Sequence, residues 1–90
     1  MAKTMSPLSV GKAVIIRTVT HYFTGRIKAI NTHEVILNDA AWVADTGRWH
    51  NALKDGILNE IEPFVGLVSI NRNAIVDVTE WKHALPRQQK

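Results

Sequence analysis

The 90-residue sequence contains no cysteine, which excludes disulfide bridges, thiolate zinc sites and cysteine nucleophiles. It also lacks an apolar run of the roughly 20 residues that a membrane-spanning helix needs. Met1 to Pro7 contains no hydrophobic segment of the kind found in export signals. Hydrophobic residues nevertheless make up 46% of the chain, which is typical of a folded domain. We therefore expect one small, soluble, cytoplasmic domain over residues 1–90.

Residue patterns that support catalysis or metal binding are also missing. No two of the four histidines have the spacing of a pair of metal ligands on one strand or helix. There is no glycine-rich phosphate loop, and no serine lies in a nucleophile-elbow sequence. The sequence therefore predicts a protein that is not an enzyme and that uses no metal and no cofactor.

The net charge of +3 comes mainly from the chain ends. Four of the eleven basic residues lie there, namely Lys3, Lys12, Arg87 and Lys90. Residues 13–85 contain the other seven basic residues and all eight acidic ones. A nucleic-acid-binding domain usually has a basic face on its folded body, so the charge alone gives that function little support. The one local basic cluster in the body is Arg17, Arg26 and Lys28.

Five segments show the β-branched or alternating patterns that favour strands. The first three, Ala13–Thr20, Phe23–Asn31 and Glu34–Asn38, are joined by short turns and predict an antiparallel meander. Leu67–Ile70 and Ala74–Val78 are predicted to be the fourth and fifth strands, on either side of a polar turn.

A short helix is predicted over Gly47–Asp55, in the insertion between the third and fourth strands. Asp45 and Thr46 are residue types that commonly cap a helix N-terminus, and Gly56 is placed to end the helix. A single helical turn is also expected in the lead-in of residues 1–12, beginning at Ser6 and Pro7.

The rest of the insertion, residues 40–64, flanks the predicted helix. Ala40–Val43 is expected to extend the third strand past a kink, and Ile57–Phe64 to be a connector. The large apolar residues of the insertion are expected to form a second part of the core or a subunit seam: Trp42, Trp49, Leu53 and Phe64. The C-terminal tail, residues 83–90, is expected to pack against the domain through Trp81 and Leu85.

Five short strands, with Gly25 marking a strong bend in the second, predict a small antiparallel barrel. A barrel of this size has a thin core and leaves strand edges open to another copy of the chain. Three tryptophans are many for such a core, and one or two of them are expected between subunits. These features predict a homo-oligomer.

Two segments resemble the sequence motifs of the Sm-like superfamily. Phe23–Asn31, with Phe23 and Gly25 at the motif's aromatic and glycine positions, resembles the first half of the Sm1 motif. His33 and Val35–Ala40 resemble its second half, and Val68–Val76 is similar to the Sm2 motif. Ser6–Gly11 corresponds to the short N-terminal helix of that family, and the order of elements in the insertion resembles small phage-encoded proteins.

The resemblance implies a five-stranded, strongly bent Sm-like (SH3-like) barrel. It also implies a ring in which the fourth strand of one subunit, Leu67–Ile70, pairs with the fifth strand of the next, Ala74–Val78. Single-stranded RNA is the ligand that the resemblance implies. The asparagine with which the family reads bases has no counterpart here, so RNA binding is expected to be weakly selective for sequence.

The candidate nucleic-acid-binding residues lie in polar turns and on strand faces. His33 could stack on a base while Arg72 contacts the base or a phosphate, although both residue types are also ordinary in solvated turns. Arg17, Arg26 and Lys28 could follow a phosphate backbone, or could simply form the solvated face of two paired strands. Two functions therefore remain open: a ring that binds single-stranded RNA, or an assembly module without nucleic acid, in which the ring itself is the product.

Overall fold

The computed structural model describes residues 6–90, which form six antiparallel strands in one open sheet and one α-helix. The first five residues of the predicted lead-in lie outside this part. The elements in chain order are β1 (Ala13–Thr18), β2 (Tyr22–Ile30), β3 (Glu34–Asp45), α1 (Trp49–Asp55), β4 (Glu60–Pro63), β5 (Val68–Asn71) and β6 (Ile75–Glu80). A 3₁₀ turn, Arg72–Ala74, joins β5 to β6. The mainly β architecture with one short helix is as predicted from the sequence.

The strand order is β4-β3-β2-β1-β6, and β5 also pairs with β3. β5 covers the first half of β3, where Val35 lies opposite Ile70. β4 covers the second half of β3, where Val43 lies opposite Ile61. The prediction of five strands was wrong, because β4 lies within the segment that was predicted to be a connector. The predicted barrel is not seen either, because no pairing joins β5 to β6 in the described residues and the sheet does not close.

The length of β3, twelve residues, depends on a bend at Asp39. Asp39 has a positive φ of 49°, and the register between β2 and β3 shifts between Thr24 and Arg26, so Asp39 and Ala40 together oppose Gly25. This is the geometry of a β-bulge, which bends a strand without ending it. The predicted kink and the extension of the strand through Val43 are both confirmed.

Each face of the sheet packs against its own hydrophobic core. The first core is enclosed by the curled sheet and contains Val14, Ile16, Ile27, Val35, Leu37, Ala40 and Ile70. The second core lies on the opposite face, beneath α1 and the C-terminal segment, and contains Ile15, Ala41, Val43, Ala52, Leu58, Ile61 and Trp81. The insertion therefore supplies a second core, as predicted. Trp49 and Leu53 pack against that core, but Trp42 and Phe64 are exposed.

The helix α1 ends as predicted and begins differently. Gly56 takes the left-handed conformation with φ 74°, and its N–H donates to Ala52 O. Arg48 is the N-cap residue and makes no side-chain capping bond, so the prediction of an Asp45 or Thr46 cap was wrong. Asp45 instead ends β3, and its Oδ1 accepts a hydrogen bond from Gly47 N at 2.8 Å.

The two ends of the described chain are held by hydrogen bonds to the sheet. Residues 6–11 contain a turn, in which Lys12 N donates to Ser9 O at 3.2 Å, and not the predicted helical turn. Gly11 N donates to Ile27 O at 2.8 Å. At the other end Trp81 is 3% exposed and Leu85 packs against the second core, which confirms both predicted anchors. Lys90 exchanges two backbone hydrogen bonds of 2.9 Å with Ile61, so the tail covers the outer edge of β4.

Candidate functional site

The structure brings two of the candidate nucleic-acid-binding residues, His33 and Arg72, into contact. His33 lies in the β2–β3 turn, where its N–H donates to Asn31 Oδ1 at 2.9 Å. Arg72 begins the 3₁₀ turn after β5, and the pairing of β5 with β3 sets that turn beside the β2–β3 turn. Arg72 N donates to His33 O at 3.0 Å, and Arg72 Nη1 donates to Asn31 O at 2.8 Å. We call this exposed group of His33, Arg72 and Asn31 the polar corner.

A carboxylate lies at the polar corner as well. Glu34 Oε2 accepts a hydrogen bond from Ser69 Oγ, and Glu34 Oε1 accepts one from Asn31 Nδ2 at 3.1 Å. These two bonds, that from Ser69 first, lower the pKa of Glu34 below its ordinary value, and His33 contributes in the same direction. Glu34 therefore remains negatively charged at neutral pH and places an anion at the same corner as Arg72.

Arg17 is held away from this corner by an ion pair. Its Nε lies 2.9 Å from Asp77 Oδ1, and its guanidinium also bonds Asp77 Oδ2. The guanidinium lies 4.8 Å from the ring centroid of Trp49, against the helix. The hydrogen bond with Arg17 lowers the pKa of Asp77 and raises that of Arg17 further. Arg17 is therefore engaged in packing α1 against the sheet.

The predicted basic cluster is divided between the two ends of the β1–β2 hairpin. Arg17 pairs with Tyr22 near the turn, whereas Arg26 pairs with Ala13 at the far end. Arg26 Nη1 donates to Gly11 O at 3.0 Å. Lys28 is exposed one strand position beyond buried Ile27. Of the five candidate nucleic-acid-binding residues, His33 and Arg72 therefore lie together in the polar corner. Arg26 and Lys28 lie near each other along β2.

An apolar depression of the described surface was missed by the sequence reasoning. It has a volume of about 370 Å³, and we call it the aromatic groove; its lining residues are His21, Phe23, Trp42, Glu62, Pro63 and Phe64. The Phe23 and Phe64 rings are stacked with centroids 6.1 Å apart, and the His21 ring lies 6.1 Å from Phe23 and 5.9 Å from Trp42. The concentration of rings near β2 and β3 was the available signal, but Trp42 and Phe64 were interpreted as part of a second core or of a subunit seam.

Within residues 6–90, no group of three or more His, Asp or Glu side chains is arranged to hold a metal ion. No helix in the same part of the chain is long and apolar enough to cross a bilayer. No protein-family model matches the chain, and neither the curated proteins nor the solved structures contain a match. The Sm-like resemblance therefore stays a prediction from the motifs.

Proposed function

We propose that this chain is a non-enzymatic Sm-like protein that assembles with copies of itself through strand edges. The observation that carries the proposal is that β5 and β6 each pair on one side only within residues 6–90, β5 with β3 and β6 with β1. An unpaired edge presents a row of N–H and C=O groups to which another strand can add.

The arrangement of the open edges favours assembly from head to tail. β5 and β6 lie at opposite ends of the path of strands that runs through β3, β2 and β1. If β5 of one copy pairs with β6 of the next, the assembly keeps a free β6 edge at one end and a free β5 edge at the other, and it stops growing when a ring closes. The outer edge of β4 is different, because Lys90 already occupies it. The described part of the chain thus covers the β4 edge and leaves the β5 and β6 edges, which an Sm-like ring would use, without a partner strand.

Exposed apolar side chains next to these edges supply contacts for a second copy. Val76 on β6 is 63% exposed, and Leu67 immediately before β5 is 58% exposed. Val76 lies at a register shift between β1 and β6, where Ile75 pairs with Thr18 and Asp77 with Arg17. Burial of such side chains between subunits is favourable by about 25 cal/mol per Å².

Single-stranded RNA binding is the second candidate function, and the contact between Arg72 and His33 favours it. In a ring this pair would recur once per subunit, which raises avidity without adding sequence selectivity. Two nearby carboxylates make RNA binding less favourable as the main function. Glu34 lies at the same corner, and Asp77 neutralises Arg17. We therefore place assembly first and RNA binding second.

The test of assembly is the molar mass measured by size-exclusion chromatography with light scattering at increasing protein concentration. We expect a discrete oligomer for the wild type and a smaller species for Val76→Lys, which places a charge at the β6 edge. Val19→Lys is the matched control, because Val19 is 76% exposed in the β1–β2 turn and should leave the oligomer intact. A wild-type protein that stays monomeric at micromolar concentration contradicts the proposal.

RNA binding is tested separately by fluorescence anisotropy of short labelled RNA and DNA oligomers at two salt concentrations. Binding carried by a few phosphate contacts weakens steeply with salt. Arg72→Ala should reduce it, whereas Lys54→Ala, on the helix across the sheet, should not. The absence of binding at low salt would remove this second candidate and leave assembly unaffected.

A further inference from the structure

The aromatic groove lies on a part of the sheet that no other element of residues 6–90 covers. β5 lies along β3 only as far as Leu37, so it does not reach the second half of that strand. Ala40, on the face of the sheet that packs against the first core, is 1% exposed. Trp42, two residues further along β3 on the same face, is 37% exposed. Phe23, Trp42 and Glu62 are successive cross-strand partners and form one row across β2, β3 and β4. Side chains in such a row point to the same face.

The charge beside these rings is negative. Glu62 Oε1 accepts a hydrogen bond from Gln89 Nε2 at 2.9 Å, and no Lys, Arg or His nitrogen of residues 6–90 lies within ion-pair distance of the Glu62 carboxylate. A second depression of about 320 Å³ shares Trp42 with the groove and is lined by Asp45. Apolar rings beside a carboxylate disfavour a phosphate ligand and favour a cation with an apolar body.

An arginine of this chain, Arg17, already contacts a tryptophan ring and a carboxylate at the same time. The Arg17 guanidinium lies 4.8 Å from the Trp49 centroid and is bonded at the same time to the Asp77 carboxylate. Trp42 and Glu62 could offer an arginine the same two partners, an indole ring and a carboxylate, from adjacent strands. No arginine of residues 6–90 is paired with Glu62. A guanidinium within about 6 Å of a tryptophan face is attracted by the ring as well as by the carboxylate.

From this arrangement we propose that the aromatic groove binds a segment of a partner protein in which an arginine lies between apolar residues. The guanidinium lies over Trp42 and pairs with Glu62. The neighbouring apolar side chains of the segment pack on Phe23 and Phe64, whose stacked rings form the rest of the groove. An aromatic surface of this kind orders a short segment at low entropic cost because the rings are already in place. This function is independent of the strand-edge assembly proposed above.

The test is an NMR titration of the full chain with two capped tripeptides, acetyl-Leu-Arg-Leu-amide and acetyl-Leu-citrulline-Leu-amide. Citrulline has the shape of arginine without its charge. We expect the arginine peptide to shift the Trp42 indole signal and the amides of Phe23 and Phe64. We expect its affinity to exceed that of the citrulline peptide by about fivefold.

Two variants test whether the Glu62 carboxylate causes the preference for arginine. Glu62→Gln should reduce the preference for arginine, because only the attraction of the guanidinium to the Trp42 ring remains, and should leave citrulline-peptide binding unchanged. Glu62→Lys should reverse the preference in favour of acetyl-Leu-Glu-Leu-amide. Asp55→Asn is the matched control, since it removes an exposed carboxylate from the end of α1, far from the groove in the fold. Thermal melting of each variant shows that folding is retained.

Three results would overturn the proposal. The arginine and citrulline peptides could bind equally, or the shifted signals could lie outside the groove. The preference for arginine could also be undiminished in Glu62→Gln, which would exclude the ion pair. Finally, signals of the groove that shift with protein concentration in the absence of peptide would show that a second copy of the chain occupies it.

Discussion

Replacement of Gly25 by alanine tests how closely β2 and the bent strand β3 approach each other. An added Cβ at Gly25 would lie 3.0 Å from Leu37 Cδ1, 3.1 Å from Leu37 Cβ and 3.3 Å from Ala40 Cα. Leu37 is fully buried in the first core, and Ala40 contributes backbone that is fixed by the bulge. Neither neighbour can move without disturbing that core.

The expected effect is a loss of stability from overpacking. An extra methyl group in a well-packed core typically costs 1–3 kcal/mol, and the contact with both a side chain and the backbone places Gly25→Ala at about 2 kcal/mol. For a domain of this length, each kcal/mol lowers the melting temperature by about 4–8 °C. Thermal and urea unfolding followed by circular dichroism should therefore show a Tm about 8–16 °C below that of the wild type.

A control and a double mutant separate the local clash from a general effect of alanine. Gly66→Ala should change stability by less than about 0.5 kcal/mol, because no atom lies within 4 Å of its added Cβ. Leu37→Ala alone should cost about 2–5 kcal/mol. Gly25→Ala should then cost at least about 1 kcal/mol less in the Leu37→Ala background than in the wild type. Unchanged melting of Gly25→Ala, or strictly additive costs, would refute the reasoning.

Three further outcomes follow from the contacts of α1, β6 and the tail. The lowered pKa of Asp77 means that its pairing with Arg17 stabilises the fold at neutral pH and that this stabilisation is lost as the pH falls below about 4. Urea unfolding at pH 6 and pH 3 should therefore show that acid lowers the free energy of unfolding less for Asp77→Asn than for the wild type. Equal decreases would contradict this. Gly56→Ala should cost about 1–3 kcal/mol, since its φ is +74° and a Cβ would lie 2.5 Å from His83 Cγ; calorimetry measures this, and an unchanged Tm would count against it. Trp49→Ala should cost less than the about 3–5 kcal/mol of a fully buried tryptophan, because Trp49 is only partly buried; a variant that melts like the wild type would mean that α1 contributes nothing to the core.

The elements that were predicted correctly are those whose signal is local. The β-branched run Ala13–Thr18 and the alternation around Ile27 indicated strands without reference to the rest of the chain. Gly56 could be identified as the helix end because the left-handed conformation favours glycine at that position.

The strand β4 could not be predicted in this way. Ile61 is its one buried side chain, and it lies between two glutamates in a segment of four residues that ends at a proline. Such a segment becomes a strand because the second half of β3 presents a free edge to it, which is a property of the fold and not of the segment. The Asp45 cap failed for a related reason, because β3 extends as far as Asp45 and its carboxylate then bonds the turn.

The two candidate sites also differ in whether the sequence alone could reveal them. The two turns that contain His33 and Arg72 were selected from the Sm-like resemblance, and their contact follows from the pairing of β5 with β3. The aromatic groove depends on which face Trp42 occupies, and a one-residue shift in alternation changes that face. Before the bulge, Val35 and Leu37 face the first core; after it, Ala40 does, and Ala41 turns to the second core.

This change of alternation at Asp39 connects the second core with the aromatic groove. In an uninterrupted strand, Trp42 would continue on the face opposite Leu37 and would lie under α1. The bulge places the smaller residues Ala41 and Val43 there, which leaves room for the helix and for Leu58, and it directs Trp42 to the uncovered face. Aspartate tolerates the positive φ that the bulge requires better than most residues do, and Arg87 Nη1 pairs with its Oδ1 at 3.2 Å. A single backbone position therefore determines both how α1 packs and that the groove exists, so a substitution that straightened β3 would remove the groove and the helix contact together.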